Sequence, residues 1–183
     1  MTMTRDKITI DDVLALKPRC RWTRERMQKS FGGRESLTAL EMCDVDIEPV
    51  ELVWLLQRAP IFSAVELRLL AARWAEQSLP IYGWAHLAAE RSREAITTAR
   101  RYAFGEATES ELIAAHAVAV ESAESAQAAA LRAWAVARAA EPGAVAFAAF
   151  ATAGRSQEQL ADLRAVLAGE LDLVAEARAV LDS

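Results

Sequence analysis

The sequence predicts an all-α protein: a compact multi-helix bundle around a long alanine-rich helix, with no significant sheet. Three observations carry this reading. Helix starts are written as capping boxes, in which a Ser or Thr side chain accepts from the N3 amide and a Glu or Gln at N3 reaches back. They occur at Ser63-Ala-Val-Glu66, Thr108-Glu-Ser-Glu111 and Ser156-Gln-Glu-Gln159. Helix stops are equally plain at Gly105, after Arg100 and Arg101, and at Pro142-Gly143, since glycine takes the left-handed cap and cations suit the negative dipole end. Val, Ile, Thr and Tyr never alternate between turn signals, so strands lack both propensity and period.

Taken in order, these marks place helices at 9–17, 22–31 and 36–43. Pro49, after Glu48, opens the next at 49–58, where a proline loses no intrahelical hydrogen bond. The Ser63 box opens 64–78, and Gly105 closes 84–104. The Thr108 box opens the long helix 109–140, followed by 143–153 and 157–181. Composition changes near Ala85, from Leu, Val and Trp to mostly Ala. A division into 1–83 and 84–183 is one reading of that change; with no Pro/Gly/Ser-rich linker, a single domain over 1–183 is the preferred one.

On the long helix, at roughly 100° per residue, Ile113, Val120 and Leu131 project along nearly one line with Trp134 close by. They are expected to fill spaces between helices. Ala119, Ala123, Ala126, Ala130 and Ala137 form an adjacent stripe that permits close backbone approach at little side-chain entropy cost. The same stripe offers a surface for homo-oligomerisation.

With 183 residues and 53% apolar content the chain can bury one continuous core. Its net charge of −5 opposes general attraction to phosphate or anionic lipid. Neither the N-terminal segment, interrupted by Asp6, Lys7, Asp11 and Asp12, nor 143–153 reads as a signal peptide or membrane span. Two cysteines, Cys20 and Cys43, match a reducing compartment, and the expected location is cytoplasmic.

Chemistry-bearing constellations are sparse, and neither a catalytic, a cofactor nor a metal site is expected. His86 and Glu90 share a helix face but lack further ligands. Glu111 and His116 are five apart, not the Glu-x-x-His spacing of di-iron bundles. Cys20 and Cys43 form no Cys-x-x-Cys pair and read as small apolar side chains. Gly32-Gly33 belongs to no phosphate loop.

Charge patterning is more informative. Between Lys17 and Lys29, Arg19, Arg21, Arg24 and Arg26 surround Trp22, a mixture suited to phosphate contact and base stacking. The sign then reverses: Glu35, Glu41, Asp44, Asp46, Glu48 and Glu51 follow without an intervening base from Glu41 onward. Solvated faces or pairing of the two runs with each other account for both; the alternative is an acidic surface for a basic protein. The candidate protein-binding residues are therefore Glu41, Asp44, Asp46 and Glu48, with Trp22 as an exposed anchor if it is not core.

The segment Glu90–Ala115, "ERSREAITTARRYAFGEATESELIAA", followed by an alanine-rich helix, resembles a group of immunity-type helical proteins of bacteria and phages. "VELVWLLQR", Val50–Arg58, is similar to the tryptophan-leucine helix that precedes it there, so the resemblance spans roughly 50–140. It implies a non-enzymatic helical protein that binds another protein, such as a toxin or defence component, and it supplies no catalytic residue. The expected function is steric and electrostatic blockade of a protein partner, a toxin or defence-system component, with the acidic span Glu41 to Glu51 suited to cationic residues such as those of a nucleic-acid-handling protein. The alternatives are a nucleic-acid-binding regulator using Arg19, Arg21, Arg24 and Arg26, and a homo-oligomeric structural protein.

Overall fold

The computed structural model describes residues 5–16, 22–78, 86–121 and 156–183, and within them the chain is helical apart from one minimal sheet. The expected helices at 143–153 and beyond Glu121, most of the alanine stripe, Trp134, Cys20, Arg19 and Arg21 lie outside the described residues, as do the side chains of His86 and His116. The chain divides into two compact units, Met1–Phe62 with Arg155–Leu171, and Ser63–Gly154 with Asp172–Ser183. The segment expected as one helix, 157–181, is shared between the units.

The first unit begins with β1 (Ile8–Thr9) and α1 (Ile10–Ala15), then α2 (Arg24–Ser30), β2 (Ser36–Leu37), α3 (Ala39–Met42) and α4 (Pro49–Arg58). β1 and β2 pair antiparallel, Ile8 opposite Leu37 and Thr9 opposite Ser36. This ribbon was not expected; two residues per strand are too few to show the alternation by which a strand is read. α1 and α3 open with capping boxes, Thr9 with Asp12 and Thr38 with Glu41, which fix where each short helix starts. Fully buried Ile8, Val13, Met27, Phe31, Leu55 and Leu56 supply core. α8 (Ser156–Ala168) completes the unit by packing on α4 and α3, with Gln159, Leu163 and Val166 along its buried face.

The second unit contains α5 (Ala64–Ser78), α6 (His86–Ala103), α7 (Glu109–Glu121) and α9 (Leu173–Leu181). Both capping boxes expected here are present: Ser63 with Glu66, and Thr108 with Glu111. Gly105 ends α6 at φ +74, and the Glu106 amide returns to the Arg101 carbonyl at 2.8 Å, a Schellman closure that a side-chain-bearing residue resists. Close packing through alanine occurs between α5 and α6. Ala72, Ala75, Ile96, Ala99 and Leu112 make one apolar cluster, with Tyr102 against it. Ala adds little apolar area at about 25 cal/mol per Å2, but it lets the backbones approach so that the larger groups interlock. Ile113, expected to fill space between helices, is instead 58% exposed, because the buried face of α7 is defined by Leu112.

The sequence expectation of a single helix over 157–181 is corrected by Gly169, whose φ of +74 ends α8. Asp172 then starts α9, accepting from Val174 and Ala175 amides. No helix among the described residues is long and apolar enough to cross a membrane.

Candidate functional site

The two opposed charge runs both belong to the first unit, and much of their charge is consumed there. Thr23 caps α2 by accepting from the Arg26 amide at 3.2 Å, which orients a helix carrying Arg24, Arg26 and Lys29. Arg24 pairs with Asp11, and Arg26 with Glu51 at 3.1 Å. Hence the two described arginines proposed for phosphate contact each already hold a carboxylate.

Among the acidic candidates, Glu41 is committed to its own helix. Its carboxylate accepts from the Thr38 amide at 2.7 Å, the Thr38 hydroxyl at 3.0 Å and Arg34 at 2.6 Å. These bonds, the backbone one foremost, hold its pKa below the usual 4.5. Asp44 is gripped by Arg164 of α8, one bond being 3.1 Å from Nη2 to Oδ2. This pair raises the arginine's pKa further and joins positions 120 apart in sequence.

Asp46 and Glu48 stand differently. Both are exposed, and neither makes an ion pair among the described residues. Glu48 occupies the N-cap of α4, but its side chain makes no capping bond. Its carbonyl receives the Glu51 and Leu52 amides instead, at 2.9 and 3.1 Å, and Pro49 at N1 has no amide to satisfy. The carboxylate is thereby left outward at the positive end of the helix dipole, where a negative charge is favoured.

Asp46 and Glu48 line a groove together with Arg26, Lys29, Ser30, Ile47 and Pro49. Val50, 37% exposed, follows directly. With Arg26 held by Glu51, the described lining of the groove presents the Asp46 and Glu48 carboxylates and the Lys29 ammonium. The two acids are legible in the charge pattern, whereas the exposure of Val50 has no local sequence signal, valine being more often buried.

Trp22 is only 7% exposed, so of the two readings left by the sequence, core and surface anchor, it takes the favoured one, core. Burial of its large apolar ring outweighs contact with solvent beside the arginines. Cys43 is also buried, its thiol donating toward the Ala39 carbonyl at 3.5 Å. Burial pushes its pKa up to about 11, which keeps it protonated and a poor nucleophile near neutrality. Among the described residues, no three His, Cys, Asp or Glu side chains are grouped to hold a metal ion.

Comparison with protein-family models, curated proteins and solved structures gives no match to this chain.

Proposed function

We propose that the protein is a non-enzymatic, protein-binding inhibitor of the immunity or anti-defence kind, which blocks a basic protein partner by bulk and by charge. One observation carries this reading: Asp46 and Glu48 stand exposed beside Val50 at the start of α4, while neighbouring Glu41, Asp44 and Glu51 are spent on internal partners. Acidic groups around a small apolar patch provide both steering and a surface to desolvate against a cationic protein. The toxin or defence role rests on the sequence resemblance of residues 50–140, and cytoplasmic residence on the two cysteines, which suit a reducing compartment. The nucleic-acid alternative has less behind it, since Arg24 and Arg26 already hold Asp11 and Glu51.

The test is affinity capture from the native host with the wild-type chain and with the double variant D46K/E48K, both first shown to unfold at the same temperature. The wild type is expected to retain one stoichiometric basic protein, and charge reversal to weaken that complex at least about tenfold. Absence of a stoichiometric protein, or a complex indifferent to the reversal, overturns the proposal. Retardation of DNA or RNA at low salt, lost steeply as salt rises, favours the nucleic-acid reading instead.

A further inference from the structure

The last helix of the second unit starts itself and contributes little core. The Asp172 carboxylate accepts from the Val174 and Ala175 amides, both at 3.0 Å, so the first turn of α9 closes without help from the rest of the protein. Along its nine residues only Leu173 and Ala177 are buried, while Val174 and Val180 remain exposed.

Among the described residues, two ion pairs bind it to the unit. Arg73 on α5 donates to both oxygens of Glu176, at 2.6 and 2.5 Å. Arg178 pairs with Glu106 in the α6–α7 connection and lies 4.0 Å over the Phe104 ring. The Arg178 and Glu106 side chains are 46% and 42% exposed, within reach of solvent screening. α5 and α6 hold together differently, through the buried apolar cluster of Ala72, Ala75, Ile96 and Ala99.

We infer that α9 is a salt-releasable latch: it detaches as one piece from α5 and α6 while these stay folded, alternately covering and uncovering the surface on which it packs. Exposed ion pairs lose strength as the Debye length falls from about 10 Å at 0.1 M salt to about 3 Å at 1 M. An apolar cluster does not weaken in this way. The Glu170 and Leu171 amides are bonded to the Ala165 carbonyl at 2.8 and 3.1 Å, so backbone rotation falls at the Leu171–Asp172 junction, and a nine-residue helix is marginal once it leaves its support. Release is therefore readable as loss of amide protection. This inference is independent of the acidic rim at α4 and of any partner.

Hydrogen exchange followed by mass spectrometry on the full chain, at about 0.05 M and about 1 M sodium chloride, tests it. At low salt the α9 amides are expected to exchange at least about a hundredfold faster than the centre of α6, through local opening. High salt should speed them by about a further tenfold and leave α6 unchanged, and the double variant E106Q/E176Q should show the fast rate at both salt levels. Protection of α9 equal to that of α6, or α9 rates indifferent to both salt and the double variant, overturns the latch.

Discussion

The Arg100 guanidinium, only 3% exposed, is held by the Glu76 carboxylate through Nη2 to Oε2 at 2.6 Å and more weakly through Nη1 to Oε1 at 3.4 Å. A charge on α6 is thereby buried beside the alanine contacts and answered from α5. Glu76→Ala strands that charge, and the expected loss is about 2–4 kcal/mol, measured by urea unfolding. The double variant E76L/R100M removes both members and should be more stable than E76A alone. If the double variant is the less stable of the two, the burden of an unpaired arginine is not what governs this site.

Gln57 presents the opposite case. It is 1% exposed on α4, and neither its amide nitrogen nor its amide oxygen has a partner. A buried amide without bonds costs about 1–3 kcal/mol relative to an apolar group of similar size. Gln57→Leu should therefore stabilise the protein by about 1 kcal/mol or more, seen as a higher urea midpoint at unchanged slope. A destabilised variant would show that the amide is satisfied in solution.

Cys43 should be slow to alkylate. A thiol raised from 9.0 to about 11 carries about a hundredfold less thiolate at neutral pH, and burial adds a steric barrier. In a Cys20→Ser background, iodoacetamide should modify Cys43 about a hundredfold more slowly in buffer than in urea. Labelling at equal rates in both would mean that the thiol is open to solvent.

The capping carboxylates tie helix starts to pH. Glu41 and Glu111 are both held below 4.5, chiefly by the amides of Thr38 and Thr108. A lowered folded-state pKa stabilises at pH above the unfolded value, and that contribution disappears as pH falls through the folded one. Stability should thus decline below about pH 4.5, and E41Q/E111Q should flatten the decline. Thr38→Ala is expected to lose about 1 kcal/mol at neutral pH by removing the α3 cap. Unchanged acid sensitivity in E41Q/E111Q would assign the decline to other carboxylates.

Local chemistry was legible in the sequence where it is complete within a few residues. Pro49–Arg58 and Ala64–Ser78 coincide with the expected helices, since Pro49 and the Ser63 box state their starts outright. The Thr38-Ala-Leu-Glu41 box is equally local, and Gly169 with Asp172 marks the α8–α9 break that periodicity alone runs through. Trp22 shows the limit of local reading: Arg24 and Arg26 that follow it are ion-paired, while the ring is buried. Distant pairing was not legible at all. Nothing near Asp44 announces Arg164, so an acidic run that looked uniform separates into bound and outward carboxylates only after folding.

The seating of α8 on α3 and α4 has a bearing on synthesis. A ribosome delivers α4, with Leu52, Leu55 and Leu56, long before the helix that covers it, and α5, α6 and α7 are made in between. The nascent N-terminal region consequently carries an incomplete apolar surface until α8 has been made, and its closure is a long-range event of the kind that slows folding and invites chaperone attention.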